Sequence, residues 1–200
     1  MSSNAPINSV TVYASSSRAL HSKYYDAADR LGRVLAGAGK KIVYGGGSIG
    51  LMGAQATAAL EAGTEVHGII PEFLADVEAG MGGLTSLEIV KDMRERKHRL
   101  LVRGQAVIAL PGGSGTFEEL FETITLKRLG QYLGAIVLNN TRGYFNHCME
   151  LLNQCIQENF RDQRHGDKWV VVNHPEDVVE AIENAIVWSA DARQFAAVSS

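Results

Sequence analysis

The sequence predicts a single Rossmann-like α/β domain, a doubly wound parallel sheet with helices on both faces. Three observations predict it. Short β-branched runs alternate with longer helical patterns from one end to the other. The strand runs are near-continuous in apolar residues rather than alternating, as in strands covered on both faces. Two of the strand-to-helix junctions are rich in glycine. In such sheets ligands bind beyond the carboxyl ends of the strands, so the chemistry is sought in the strand-to-helix loops.

The elements follow in order. Val10–Tyr13 reads as a strand, and Tyr24, Ala28, Leu31 and Leu35 then recur at helical spacing. Lys41–Tyr44 is a strand that stops at three glycines, and Gly50–Ala62 is an alanine-rich helix. Val66–Ile70 is a strand stopped by Pro71, and a loop containing glycine runs from Glu72 to about Ser86. Leu87–Val90 is a short strand before a helix over Asp92–Arg103. Val107–Leu110 is a strand ending at Pro111, with a helix over Thr116–Leu129. Ala135–Leu138 and Trp169–Val172 are strands, each followed by a helix, over Phe145–Asn159 and Pro175–Trp188.

Length and composition agree with one globular unit. The chain has 200 residues, of which 46% are hydrophobic and 20% charged, enough to bury a sizeable core. The domain is placed at residues 9–190, with small polar tails at 1–8 and 191–200. A net charge of -3 disfavours a dedicated nucleic-acid binder. Cys148 and Cys155 fall seven residues apart in one helix. At about 1.5 Å rise per residue they are about 10 Å apart, too far for a bridge, which points to two thiols in a reducing compartment. No run approaches the roughly 18 apolar residues of a membrane span, and the start lacks a signal-peptide pattern. The simplest location is the cytoplasm.

The first glycine-rich loop is Tyr44-Gly-Gly-Gly-Ser-Ile-Gly-Leu-Met-Gly53. Glycine permits close backbone approach, and a helix N-terminus offers free N–H groups and a positive dipole end. Gly45, Gly47 and Gly50 satisfy G-x-G-x-x-G, but a dinucleotide site also wants an acidic residue about 20 positions on, at the end of the next strand. Glu65 has the distance without the placement, Glu72 the reverse, and the loop follows the second strand rather than the first. The second loop, Pro111-Gly-Gly-Ser-Gly-Thr-Phe-Glu-Glu119, lacks the Gly-Lys-Ser/Thr of a P-loop. Two anion-ready helix termini on neighbouring strands suit one phosphate and one sugar, and hence a nucleoside monophosphate. Thr116 and Glu119 also have the spacing of a capping box, so Glu119 is open to two readings, backbone cap or catalytic carboxylate. In the third element, Asp92–Arg99, Arg96, Arg99 and Arg103 share a helical face. That face is either solvated or clamps an anion through paired guanidinium N–H groups.

These residues carry a resemblance. Pro111–Glu119 resembles the P-G-G-x-G-T-x-x-E motif of the LOG (Lonely Guy) family. Tyr44–Gly53 resembles its Y-G-G-G-x-x-G-L-M-G, and Met93–Lys97 its M-H-x-R-K. Order and spacing agree from about Val10 to Trp188. The family comprises cytokinin riboside 5′-monophosphate phosphoribohydrolases, long labelled lysine decarboxylases. The resemblance implies hydrolysis of the N-glycosidic bond of N6-modified or plain AMP to free base and ribose 5-phosphate. It implies no metal or redox cofactor, and a homodimer with the site near the subunit interface. Arg96 and Glu119 match the catalytic pair. Lys97, Gly112, Gly113, Gly115, Thr116, Glu118 and Thr125 match nucleotide-contacting positions, and Gly46, Gly47 and Ser114 join them as expected substrate contacts. Two positions depart from the pattern: the first-strand loop is Ala14-Ser-Ser-Ser17 where the family tends to Cys-Gly-Ser-Ser, and Arg94 replaces a histidine.

Glycosidic cleavage passes through an oxocarbenium-like ribose, which an ionised carboxylate stabilises. That role falls to Glu119, with the helix N-terminus favouring its charge. Arg96 is a poor general acid and suits phosphate binding or orientation of Glu119. No histidine is placed to protonate the leaving base. The competing readings are a non-catalytic nucleotide-binding module and an NAD-dependent oxidoreductase. No lysine has a recognisable pyridoxal-phosphate context, so the decarboxylase label has little physical basis. Phe73, Leu74, Val77 and Met81 of the 72–86 loop are candidates for an apolar pocket around an N6 substituent, or else pack on the core or a second subunit.

Overall fold

A computed structural model describes residues 6–75 and 82–195. Seven strands form one parallel sheet: β1 (Ser9–Tyr13), β2 (Lys41–Tyr44), β3 (Val66–Pro71), β4 (Ser86–Val90), β5 (Ala106–Ala109), β6 (Ile136–Asn139) and β7 (Val170–Val172). Their order is β4-β3-β2-β1-β5-β6-β7, and every pair is parallel. The chain winds outward one way from β1 and, after crossing back to β5, outward the other way. The order therefore reverses between β1 and β5, and a crevice opens there at the strands' carboxyl ends.

Alternation along each strand sends side chains to two cores. On one face Val10, Val12, Ile42, Tyr44, Ile108 and Val137 meet helices α1 (Ser22–Gly37), α2 (Gly50–Glu61) and α7 (Val178–Glu183). On the other, Tyr13, Val43, Val107, Ala109, Ile136 and Leu138 meet α4 (Met93–Arg103), α5 (Ser114–Arg128) and α6 (Asn146–Gln157). Both faces are thus covered, which is why the strands carry no polar alternation. α1 and α2 approach closely at Gly32, where a Cβ would lie 2.3 Å from the Gln55 carbonyl.

Most boundaries match the sequence expectation within a residue or two. Pro71 ends β3 from inside rather than stopping it from outside. A single turn of helix, α3 (Glu72–Ala75), occupies the start of the expected loop. The largest difference is at the C-terminal end. The expected helix over Pro175–Trp188 begins as a 3-10 turn (Pro175–Asp177) and its α-helical part ends at Glu183. Beyond it, Ala190–Phe195 form a 3-10 segment with Ala192 buried, so the expected tail from Asp191 is packed through this turn. At the other end Ile7 packs on the core and the Asn8 N–H donates to Gln105 Oε1 at 2.7 Å. Both cysteines are free thiols. Among the described residues no helix is long and apolar enough to cross a membrane.

Candidate active site

The crevice between β1 and β5 holds a cavity of about 400 Å³. That is the size of a small-molecule site, roughly 300–1,000 Å³. Its walls come from the loop after β1 (Ala14–Ser17), the end of β2 (Gly45), α4 (Met93, Arg96) and the start of α5 (Gly113–Thr116, Glu119).

The N-cap of α5 is Gly113, which has no side chain to cap the helix. The backbone N–H groups of Ser114, Gly115 and Thr116 find no acceptor among the described residues, and Phe117 N is the first to close a helical turn, onto Gly113 O. This leaves a first turn of free donors at the positive end of a helix, an anion cradle. The loop is braced from behind. Tyr144 Oη donates to the Gly112 carbonyl, and Phe117 stacks on Tyr144 with ring centroids 6.1 Å apart. Gly112 admits no side chain, because a Cβ would fall 2.0 Å from Thr116 Oγ1.

The capping-box reading of Thr116 and Glu119 does not hold. The helix starts at Ser114, so Thr116 is already inside it and Glu119 is a turn further on. A box of this kind caps α4 instead: Asp92 Oδ1 accepts from Glu95 N at 2.9 Å, and Glu95 Oε2 accepts from Lys91 N at 3.2 Å. Glu119 is left to face the cavity. Burial pushes its carboxyl up to about 7, Arg96 and Lys97 pull it down, and Glu118 and Glu122 push it up. The ionised state expected from the helix terminus alone is therefore only part of the population at neutral pH, because desolvation outweighs the dipole.

Arg96 is buried, and its guanidinium is spent largely on the protein. Nε donates to the Ile69 carbonyl at 3.1 Å and Nη2 to the Gly45 carbonyl at 2.8 Å. Nη1 lies 3.7 Å from Met93 Sδ. The residue thus ties β3, the end of β2 and α4 together and fixes one positive charge near Glu119. Arg99 and Arg103 share its helix but not its role. Both pair with Glu88 of β4.

The first glycine loop is not a cradle. The Ser15 carbonyl accepts from Leu51 N at 2.8 Å and from Met52 N at 3.2 Å, and Gly53 N donates to Ile49 O. The N-terminus of α2 is therefore capped by the loop after β1. Its glycines serve packing: a Cβ on Gly50 would lie 2.5 Å from Ser15 O, one on Gly45 2.2 Å from Arg96 Nη2, and one on Gly53 2.1 Å from Ser48 O. The expectation of two anion sites reduces to one, and the dinucleotide fingerprint loses the helix terminus it needs. Glu65 pairs with Lys41 and His67, away from this terminus.

Of the residues expected at the site, Arg96, Glu119, Gly113, Ser114, Gly115 and Thr116 line the cavity together. Gly112 backs the loop from the other side and borders a neighbouring apolar hollow. Gly46, Gly47, Lys97, Glu118 and Thr125 do not line the cavity. Gly46, at φ +79°, abuts Leu87 and Ile70. Lys97 Nζ is held at 2.6 Å from Glu118 and 3.3 Å from Glu122. Neither Phe73 nor Leu74 reaches the cavity, and Val77 and Met81 lie outside the described residues. No histidine and no lysine lines it. Gly45 and Met52 were not among the expected contacts, and Ser15–Ser17 had entered only as part of a departure from the family pattern. The rule that ligands sit at the reversal of strand order, applied to β1, is the signal that finds the serines.

Fold and site define a Rossmann-like α/β protein with one open helix-terminal anion cradle and a partly buried carboxylate beside it. Residues 52–182 match the family model described as "Possible lysine decarboxylase". A cytokinin riboside 5′-monophosphate phosphoribohydrolase of Rhodococcoides fascians is 38% identical over 177 residues, 88% of this chain and 89% of that protein. The phosphoribohydrolase LOG3 of Arabidopsis thaliana is 40% identical over 151 residues, 76% of this chain and 70% of that protein. Among solved structures, TM1055 aligns with a TM-score of 0.69 at 26% identity, covering 88% of this chain and 99% of its own. The molybdenum cofactor carrier protein of Chlamydomonas reinhardtii has the same fold, with a TM-score of 0.70 at 16% identity over 90% of this chain and 98% of its own. The chain belongs to the LOG family.

Proposed function

We propose that this protein is a phosphoribohydrolase acting on adenosine 5′-monophosphates, N6-modified or plain, and releasing free base and ribose 5-phosphate. The observation that carries this is the pairing of an open cradle at Ser114–Thr116 with the Glu119 carboxyl on the same face of the same cavity. The 5′-phosphate sits on the free N–H groups of α5, which are held at the right end of the helix dipole. Glu119, about one turn along, then lies where the ribose presents C1′. Its ionised form stabilises the positive charge that develops there and takes the proton of the attacking water. The C1′–N9 bond breaks as a C1′–O bond forms from the water oxygen; Glu119 holds the proton that water gives up, and the departing base takes one proton from solvent, so that the two balance.

Arg96 supports the ionised form from its fixed position. Ser15–Ser17 and Met93 form the remaining walls, against ribose and base. Lys97, Glu118 and Thr125 belong to the proposed site as family-matched positions outside this cavity, and the homodimer that the family resemblance implies is the arrangement in which they meet substrate. The cytoplasmic location expected from the sequence belongs to the same proposal.

The test is direct. Incubation with AMP, N6-isopentenyl-AMP and the corresponding nucleosides, with chromatography of the free base, should show release from the monophosphates and little from the nucleosides. Equal turnover of nucleoside and nucleotide would remove the cradle from the reaction. Binding of AMP without release of adenine would leave a nucleotide-binding module.

A further inference from the structure

The far end of α5, opposite the cradle, gathers a second set of charges that the proposed reaction does not use. Lys127 and Arg128 close this helix, Arg161 follows α6, and His165 and Lys168 lie in the 3-10 segment Gln163–Lys168. Lys127, His165 and Lys168 are buried, each with 1% or less of its surface exposed. Lys127 is provided for: Nζ donates to the Gly134 carbonyl at 2.5 Å and lies 5.9 Å from the centre of the Trp188 ring. Lys168 is not. Its Nζ meets neither solvent nor any hydrogen-bond partner among the described residues, and the same holds for Nη1 of Arg161. Asp162, the carboxylate that acts on His165, is engaged by Arg164 through two side-chain contacts at 2.7 Å.

A buried ammonium and a buried guanidinium edge without partners are costly, and like charges beside them add to the cost. Arg161, Arg128 and Lys127 all act on Lys168, so these groups share one neighbourhood. With burial as the larger cause, they bring its ammonium down to about 7. A dianion among them would reverse each of these effects.

We propose that Lys168 and Arg161 form a binding site for a compact tetrahedral oxyanion, phosphate or sulfate, separate from the nucleotide cavity. The ligand is compact because Lys168 Nζ is fully enclosed. It is an oxyanion because a guanidinium edge and an ammonium together present N–H donors and no acceptor. Arg161 supplies the way in, since it also lines an open depression of about 360 Å³ bordered by Asn159, Asp162 and Arg164.

The molecule carries its own reporter. Both of its tryptophans belong to this region: Trp188 lies over Lys127 and 6.5 Å from His165, and Trp169 follows Lys168 in the chain. Neither lines the nucleotide cavity. Titration of the full chain with inorganic phosphate, and separately with sulfate, at ionic strength held constant with chloride, should give a saturable change in tryptophan emission. Lys168→Met and Arg161→Gln should each shift its midpoint at least about 10-fold upward, consistent with loss of one charge-assisted contact, while release of adenine from AMP is unchanged. A response to chloride equal to that of phosphate, or a Lys168→Met protein that titrates like the native one, overturns the site. Should Lys168→Met fail to fold, the half-buried Arg161→Gln decides by the same midpoint.

Discussion

The loop after β2 and the loop after β5 both run from a strand end into a helix N-terminus, and only one leaves that terminus open. At α2 the Ser15 carbonyl takes the N–H groups of Leu51 and Met52. At α5 no backbone acceptor among the described residues reaches the N–H groups of Ser114, Gly115 or Thr116. The glycines differ to match. A Cβ at Gly45, Gly50 or Gly53 would strike protein atoms within 2.5 Å, whereas Gly113 and Gly115 have nothing within 4 Å. Glycine in the first loop lets the protein approach itself; in the second, Gly112 does the same against Thr116, while Gly113 and Gly115 leave room for something else. Position in the sheet decides which. Both loops lie near the reversal of strand order, but the chain leaving β1 folds over the α2 side and fills it.

The largest effect that sharpens this contrast is expected at Glu119. Glu119→Gln keeps the shape of the side chain and removes its charge, so base release should fall at least about 100-fold, the scale of one preorganised electrostatic group. AMP binding, read by calorimetry on the same protein, should persist. Turnover within a few-fold of the native enzyme would leave the second loop as a cradle without a catalyst.

Next is the first loop itself. Gly50 has φ +64°, and a Cβ there would lie 2.5 Å from Ser15 O and 2.6 Å from the Ser16 carbonyl carbon. Both contacts are backbone and cannot yield cheaply. Gly50→Ala should destabilise by about 3 kcal/mol or more, combining a strained dihedral with a backbone clash. The melting temperature should drop by roughly 2–4 °C for each kcal/mol in a chain of this size. A Gly50→Ala protein with native stability but weakened AMP binding would make the first loop a ligand site after all.

Local rules carried the sheet a long way. Near-continuous apolar runs placed the inner strands, because strands covered on both faces leave no other pattern, and the short edge strand β4, with Glu88 in its middle, was found by its β-branched residues and its place in the alternation. The motif Pro111–Glu119 placed the cradle and its carboxylate, because an open helix terminus after a strand is a local feature. What stayed hidden was long-range. Nothing in Tyr44–Gly53 says that a carbonyl 35 or more residues earlier will cap α2. Nothing in Asp92–Arg103 separates Arg96, drawn inward onto the Ile69 and Gly45 carbonyls, from Arg99 and Arg103, which meet Glu88. The expected final helix failed for a tertiary reason as well: Trp188 Nε1 donates to the Lys127 carbonyl, and Ala190 packs against Gly130, which takes the chain off the helical path.

A smaller effect separates binding from stability in the second loop. Gly115 occupies the first turn of α5 with open space around its Cα. Gly115→Ala should leave the fold intact and stabilise it by about 0.5–1 kcal/mol, the usual gain of alanine over glycine in a helix. The added methyl group stands on the face where the phosphate approaches, so KM for AMP should rise several-fold. The opposite pattern, lower stability with unchanged KM, would put the second loop in the same class as the first.

A pH dependence links Glu119 to Arg96. The folded-state carboxyl is raised by burial from 4.5 to about 7, with Arg96 the leading opposing influence. If the ionised form acts at C1′, kcat/KM should climb as pH rises toward about 7 and level off above it. Replacing Arg96 by methionine removes the opposing charge and should carry that midpoint upward. A stability measurement checks the same group independently of turnover. Because the folded-state value lies above the unfolded one, Glu119 contributes stability that is present below the unfolded value and lost as pH rises through the folded value. Glu119→Gln has no such titration. Its melting temperature should match that of the native protein at about pH 4 and exceed it increasingly from about pH 5 to about pH 8. A gap that stays constant across this range would mean that the carboxyl is already ionised in the folded state, and the rate profile would then belong to another group.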